Sequence, residues 1–169
     1  MGEKRITLLF IITVLFFNSY AQPVYSYGTY TGDDAATLTV GYVGFQPEVV
    51  IVFPLSASYV GWCATNDMAA GYAKKLSGNT ALVTGRMDAF LSNGFRVGTN
   101  DDANKLGVKY FFIAFNENAD VYVNSYVGEG DASYPITGVG FAPQMVWLFG
   151  NHTNAPLLGQ ASNVTYCVD

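Results

Sequence analysis

The chain has 169 residues, half of them hydrophobic and 12% charged, with a formal net charge of −5. This length allows one domain with a substantial core. The few Lys and Arg residues are scattered along an acidic chain. The composition therefore argues against nucleic acid or an anionic membrane surface as a partner, since both require clustered basic residues.

The N-terminal segment has the pattern of a secretory signal peptide. A basic pair at residues 4–5 precedes an apolar run, Ile6–Phe17, and small residues follow at Ser19 and Ala21, the spacing that signal peptidase recognises. The run of about 12 residues is too short to span a bilayer core, which needs about 20. We therefore predict a cleaved signal peptide over residues 1–21 and a secreted, extracellular or cell-surface protein with no membrane span after cleavage. An uncleaved N-terminal anchor is the alternative.

Strand patterns dominate the rest of the chain. The candidate strands are short, rich in β-branched and aromatic residues, and bounded by turn-forming residues. In chain order they are Val24–Thr31, Thr37–Val43, Glu48–Phe53, Ala81–Thr84, Gly94–Val97, Val108–Phe115, Val121–Val127, Tyr134–Thr137 and Met145–Phe149. One helical pattern, Met68–Lys75, is barely two turns long and is interrupted by Gly71. These elements predict an all-β fold, an antiparallel β-sandwich of jelly-roll type.

An internal repeat organises these strands. Residues 30–53 and 126–149 align without a gap, and nine of the 24 aligned positions are identical. Each copy predicts a Tyr-x-Gly turn whose glycine has a positive φ, then an alternating strand, then a Gly-Phe-x-Pro turn whose Phe closes the end of the core. The last part of each copy is an apolar run, which predicts a central strand covered on both faces.

The repeat also predicts the domain organisation. We predict a single β domain over residues 22–169, built from a repeat and a half. The first copy covers about residues 25–120, and a partial second copy covers about residues 121–169. The alternative is that the chain is a fragment of a longer repeat array.

A fixed order of glycine and aromatic motifs runs along the chain: Tyr-x-Gly-x-Gly, a short gap, Ile-Thr-Gly-Val-Gly-Phe-x-Pro and an apolar strand. The middle of the chain adds Thr65–Ala70, Gly94–Gly98 with Asn104, and Gly107–Phe115. This order resembles a repeat of phage tail-fibre and virion-surface proteins and of large bacterial surface proteins. The resemblance spans about residues 25–149. It implies a β-structural unit in a surface or fibre protein, and its motifs carry no catalytic residue.

Two cysteines, Cys63 and Cys167, are present in a chain with an export signal. An oxidising compartment and an even count predict a disulfide between them. It would close a loop of about 100 residues, worth about 4–5 kcal/mol in the chain-entropy model. The alternatives are two buried free thiols or pairing with another chain.

Acidic residues recur at one turn of each repeat copy, as Asp33 and Asp34 in the first and as Glu129 and Asp131 in the second. Flexible loops with several carboxylates suit Ca²⁺. However, Asp in a Gly-rich turn also caps its own backbone, and no twelve-residue ligand loop is present. We therefore predict no cofactor, with Ca²⁺ at these residues as the alternative.

The sequence offers little for catalysis or glycan recognition. The single histidine, His152, lies in a predicted loop without a Gly-x-Ser-x-Gly elbow nearby, so we expect no enzyme. The sequons that begin at Asn151 and Asn163 are candidate N-glycosylation sites. Three aromatic residues of a loop-rich stretch could stack on a sugar ring, although the Trp could instead pack under the core: Tyr59, Trp62 and Tyr72.

Taken together, these patterns predict a secreted, non-catalytic structural or adhesive module of a surface or filament. Its expected partners are further copies of itself, joined through unpaired strand edges, or other surface and fibre proteins. The alternative is a lectin-like module that binds carbohydrate through the three aromatic residues, so that glycans would be the partners.

Overall fold

The computed structural model of the protein describes residues 24–78, 80–117, 121–129, 133, 135–151 and, as backbone alone, 157–160. These residues form eleven strands and one short helix, all numbered here in chain order. The elements are β1 (Tyr25–Thr31), β2 (Leu38–Val40), β3 (Val49–Pro54), β4 (Trp62–Thr65), β5 (Tyr72–Lys75), β6 (Val83–Thr84), β7 (Met87–Leu91), β8 (Gly94–Val97), α1 (Asp101–Asn104), β9 (Lys109–Phe115), β10 (Met145–Leu148) and β11 (Leu157–Gln160).

Two antiparallel sheets pack together and enclose the main core. The larger sheet has six strands in the order β1–β9–β3–β4–β5–β6, and the smaller has three in the order β2–β8–β7. One buried cluster takes Phe112 and Trp62 from the larger sheet and Phe95 and Val97 from the smaller. Alternation along each strand directs one set of side chains to this core. The predicted all-β antiparallel sandwich is confirmed.

Strand β3 is central, as its apolar, β-branched sequence predicts. It pairs with β9 on one side and with β4 on the other. Val50 and Val52 belong to the core between the sheets, whereas Val49 and Ile51 belong to a second cluster on the opposite face of the larger sheet. We call that opposite face the outer face. All four side chains are buried, which explains why the strand contains no polar residue there.

The Gly-Phe-x-Pro turn has the same glycine conformation in both copies. Gly44 and Gly140 have φ values of 95° and 81°, a conformation that favours glycine. Phe45 is 3% exposed and belongs to the core, as the sequence predicts for the residue that closes it. The glycine of the Tyr-x-Gly turn has another role. A Cβ on Gly32 would lie 2.2 Å from the Lys105 carbonyl oxygen, so close backbone approach requires the glycine there, and the prediction of a positive φ was wrong.

The predicted helix Met68–Lys75 is wrong. Its second half is strand β5, which pairs with Cys63 and Trp62 of β4. Gly71 has a φ of 81°, which ends the preceding turn and separates it from the strand. A stretch of four residues is too short for its pattern to identify a strand. Pairing with β4 is what makes this segment a strand instead of a helix.

Two other predicted strands are wrong as well. Val121–Val127 forms no strand, although Val123 packs on the outer face of the larger sheet. In the segment Tyr134–Thr137, residues 135–137 are exposed and not in a strand, and Tyr134 lies outside the described residues. Neither segment has a partner strand in the part of the chain that the structure describes.

The second repeat copy packs on the first through the outer face. Its strand β10 pairs with β11 rather than joining the larger sheet. Trp147 and Phe149 pack against the outer cluster of Val49, Ile51 and Cys63. Sequence similarity predicts another central strand here. That prediction was wrong for the described residues, because β10 has one paired neighbour and its side chains are at most half-buried.

Candidate functional site

A largely buried carboxylate, that of Asp102, holds three segments of the chain together. It lies in α1 and accepts hydrogen bonds from Arg86 Nη2 at 2.5 Å, from Arg86 Nε at 3.1 Å and from the Val60 backbone N–H at 2.9 Å. Its backbone carbonyl accepts a hydrogen bond from Trp62 Nε1 at 3.2 Å. The Arg86 and Asp102 side chains are only 6% and 13% exposed. We interpret this ion pair as structural, because both charges are engaged with the chain's own loops.

A pair of stacked tyrosines lies beside it. The rings of Tyr30 and Tyr110 are 4.9 Å apart. The Tyr30 hydroxyl donates to the Ala103 carbonyl at 2.8 Å, while the Tyr110 hydroxyl donates to the Asp101 carbonyl at 2.6 Å and accepts from the Lys105 N–H at 2.8 Å. Burial raises the pKa of Tyr30 far above its usual value and raises the pKa of Tyr110 to about 12. Both hydroxyls therefore remain protonated and serve as hydrogen-bonding groups.

The two carboxylates in the acidic turn of the first copy are bound by backbone N–H groups and a lysine of the same chain. Asp33 Oδ1 accepts the Ala35 N–H at 2.9 Å. Asp34 accepts the Leu106 N–H at 2.9 Å, and its other oxygen lies 3.5 Å from Lys105 Nζ. The pKa of Lys105 is raised, first by Asp101 and then by Asp34. These carboxylates cap and tether a loop.

The acidic turn of the second copy gives no metal site in the part of the chain that the structure describes. Glu129 is exposed, and Asp131 lies outside the described residues. Among the described residues, no group of three or more His, Cys, Asp or Glu side chains lies close enough to hold a metal ion.

The three aromatic residues considered for sugar stacking are not equally accessible. Trp62 is fully buried in the core and is tied to the Asp102 carbonyl. It therefore cannot present its ring to a sugar, and this part of the expectation is corrected. Tyr59 is half-buried, and Tyr72 is 38% exposed. The burial of Trp62 follows from its inward position in β4, which the sequence did not identify as a strand.

The remaining candidate residues are the two cysteines, the histidine and the two sequon asparagines. Cys63 is a buried free cysteine, and burial raises the pKa of its thiol. Its predicted partner Cys167 lies outside the described residues, as do Asn163 and His152. Cys63 forms no disulfide with any described residue, and its pairing with Cys167 stays a prediction. Asn151 is exposed, as a glycan acceptor must be, and its Oδ1 accepts the Leu82 N–H at 3.2 Å.

The outer face of the larger sheet carries a row of aromatic and aliphatic side chains, three exposed and two half-buried, which we call the aromatic strip: Tyr25, Tyr27, Phe53, Phe111 and Ile113. Tyr25 is 57% exposed, Tyr27 68% and Phe53 40%. Successive rings in the order Tyr25, Tyr27, Phe111 and Phe53 are each 6.4 Å apart. The strip borders an open apolar groove on β1 and β9. Contiguous exposed apolar surfaces are where soluble proteins commonly bind partners, so the strip is the candidate interaction surface of this chain.

The aromatic strip contains no charge but has opposite charges at its ends. Strand β1 has no ionisable group other than tyrosine, and the one lysine of β9 is Lys109, exposed at the end of that strand. At the opposite end, Glu117 follows β9 and is also exposed. The pKa of Glu48, which lies near it, is raised first by burial and then by Glu117. The strip therefore runs from an acidic end to a basic end.

Sequence reasoning missed this surface. Large and small residues alternate along Val24–Thr31, and that pattern identified β1 correctly as a strand. Alternation does not say which face of a strand is covered. A usable signal was present in the large aromatic residues on the alternate positions of both β1 and β9, since an ordinary solvent-exposed face carries polar residues.

Comparisons with known proteins locate the family without indicating a function. Within the described residues, no helix is long and apolar enough to cross a membrane. No curated protein and no solved structure matches the chain. Residues 18–119 match the family DUF7483, described as a domain of unknown function. Since the match covers more than half of the chain, the protein belongs to the DUF7483 family.

Proposed function

We propose that the protein is a secreted, non-catalytic structural or adhesive module of a surface or filament, which acts by presenting the outer face of its larger sheet to other proteins. The observation that carries the proposal is the aromatic strip. Tyr25 and Tyr27 are more than half exposed on a strand whose other face is packed. Tyrosine is favoured at protein interfaces because its ring is apolar and its hydroxyl tolerates water.

The buried polar groups support a structural role. Arg86 and Asp102 are paired and hydrogen-bonded to loop groups, and the Tyr30 and Tyr110 hydroxyls donate to backbone carbonyls. Groups held in this way rigidify a scaffold, because their hydrogen bonds are made to the chain's own atoms and not to a substrate. The resemblance of the repeat motifs to those of fibre and surface proteins agrees with this role.

The test compares assembly with glycan recognition for the purified chain. Light scattering follows the mean mass as the concentration rises, and a glycan array measures sugar binding on the same preparation. We expect the mass to rise with concentration and the array to give no selective signal.

Two results would contradict the proposal. One is a strictly monomeric protein at every concentration. The other is selective binding to one class of sugar that is lost on Tyr59→Ala or Tyr72→Ala, since that result identifies the lectin-like alternative.

A further inference from the structure

The outer face of the larger sheet is presented by both repeat copies. In β3 its residues are Val49, Ile51 and Phe53 by alternation. The repeat offset of 96 positions makes Met145, Trp147 and Phe149 their equivalents in and after β10. The residues are apolar in both copies. Phe53 and Phe149 are identical, whereas the other two pairs combine different apolar residues.

These equivalent faces already contact each other within one chain. Trp147 and Phe149 of the second copy pack on Val49 and Ile51 of the first. Trp147 also meets Phe115 edge-on, with ring centroids 6.0 Å apart and planes at 88°. The outer face therefore already accepts apolar side chains from this chain's own repeat, and a two-fold interface between identical chains requires a surface that accepts its own copy.

The second copy covers only part of this face. It packs over β3, β4 and the end of β9, and the aromatic strip on β1 and the rest of β9 stays exposed. The strip is continuous with the covered part, because Phe115 pairs with Tyr25 on one side and with Val49 on the other. With about 200 Å² for each aromatic side chain, the exposed fractions of Tyr25, Tyr27 and Phe53 leave roughly 300–400 Å² of surface uncovered.

The charges at the two ends of the strip specify an orientation. Lys109 is exposed at one end and Glu117 at the other. If two strips face each other with their strands in opposite directions, each Lys109 lies opposite the partner's Glu117. If the strands run in the same direction, like charges meet. In either arrangement the central part of the interface is free of charge, so the charges at the two ends decide the orientation.

We propose that the aromatic strip binds the same strip of a second copy of this chain, in a two-fold dimer whose facing strands run antiparallel. This proposal rests on the proposed function and specifies that the partner is a second copy of the chain. Because the strip is smaller than the ~800 Å² per partner of a standard interface, the dimer is weak and depends on concentration.

The experiment is sedimentation velocity of the full chain over a wide range of concentrations. We expect a reversible monomer–dimer equilibrium for the wild type. Tyr27→Lys places a charge at the most exposed ring of the strip, and it should raise the dissociation constant at least about tenfold. Tyr25→Lys is the second strip variant. Leu106→Lys is the matched control, since Leu106 is 66% exposed outside the strip, and it should leave the dimer unchanged.

A charge exchange tests the orientation. Lys109→Glu and Glu117→Lys should each weaken the dimer, and the double variant should restore it. Circular dichroism of each variant verifies the fold, and both residues are exposed.

Three outcomes overturn the proposal. The first is a wild-type chain that remains monomeric at all concentrations, which would contradict the proposed function too. The second is an assembly that is unaffected by Tyr27→Lys and Tyr25→Lys, which would leave the structural role standing but place the contact on another surface. The third is a monomer whose strip binds glycans on an array, which would overturn the proposed function as well.

Discussion

At the scale of single residues, one carboxylate joins parts of the chain that are far apart in sequence. Asp102 connects Val60, Arg86 and, through its carbonyl, Trp62. Its placement in α1 depends on Asn100, whose side chain accepts the Asp102 N–H at 2.9 Å as an N-cap. In the sequence Asp102 is one of several turn-like acidic residues, and nothing local distinguishes it from Asp101.

Loss of the buried ion pair should be costly. Arg86→Met leaves the Asp102 carboxylate buried without its counter-charge, and we expect a loss of about 3–5 kcal/mol in the free energy of unfolding, measured by denaturant titration. Arg96→Met is the matched control, because the Arg96–Asp88 pair is 41% and 36% exposed and should contribute less than about 1 kcal/mol. Equal losses for the two variants would contradict the structural role of Asp102.

The stacked tyrosines make stability depend on alkaline pH. Their pKa values are raised in the folded protein, that of Tyr110 to about 12, whereas in the unfolded chain tyrosine ionises near pH 10. The folded state then holds more protons, so its stability is full below about pH 10 and falls as the pH rises from 10 towards 12. Unfolding titrations across this range test the effect, and Tyr110→Phe should weaken the pH dependence. A free energy of unfolding that stays constant from about pH 9 to 12 would argue against it.

At the scale of elements, glycines determine where strands can approach one another. Strand β8 begins at Gly94, where an added Cβ would lie 1.9 Å from the Val40 carbonyl oxygen of β2. Gly71, before β5, has a positive φ of 81° but open space around it. The two glycines look alike in the sequence. Only the structure shows that Gly94, whose φ is 151°, is required for close approach as well as for conformation, whereas Gly71 is required for conformation alone.

Alanine substitutions should separate the cost of close approach from the cost of a positive φ, because only Gly94 carries both. Gly94→Ala forces β2 and β8 apart, and we expect at least about 3 kcal/mol of destabilisation. Gly71→Ala meets no atom within 4 Å and should cost only the ~1–2 kcal/mol of a left-handed alanine. Thermal and denaturant unfolding measure both variants. The interpretation fails if Gly94→Ala is the milder change.

The elements also show how far local patterns can predict this fold. The apolar run from Val49 onward is long and β-branched enough to identify β3 and even its central place. The short strand Tyr72–Lys75 has no such pattern and was mistaken for helix. The sequence did not predict the aromatic strip, because its β1 residues alternate as in any half-buried strand. Their exposure depends on what packs above them.

At the scale of the whole molecule, the two repeat copies are used differently. The first supplies the central strand β3, and the second lays Trp147 over the outer face of that strand. The shared Gly-Phe-x-Pro turn keeps its glycine conformation at Gly44 and Gly140, so the local geometry is repeated. The packing is not repeated, since β10 pairs with β11 outside the larger sheet.

Contact between the copies should contribute to stability. Trp147→Ala removes a half-buried ring from the outer cluster, and we expect a loss of about 1–2 kcal/mol, part of the value for a fully buried side chain. Met145→Ala is the control, because Met145 is 54% exposed and the change should stay within about 0.5 kcal/mol. Denaturant unfolding compares them. A neutral Trp147→Ala would show that the second copy does not stabilise the first.

The sequence alone determined the β class of this protein, its internal repeat and the turn at Gly44, because periodicity and turn chemistry act over a few neighbouring residues. The tertiary structure alone decided that Trp62 is buried, that Asp102 pairs with Arg86, and that an aromatic strip remains exposed. These outcomes depend on which distant segments meet. Burial and pairing are properties of contacts between segments, and a pattern within one segment does not contain them.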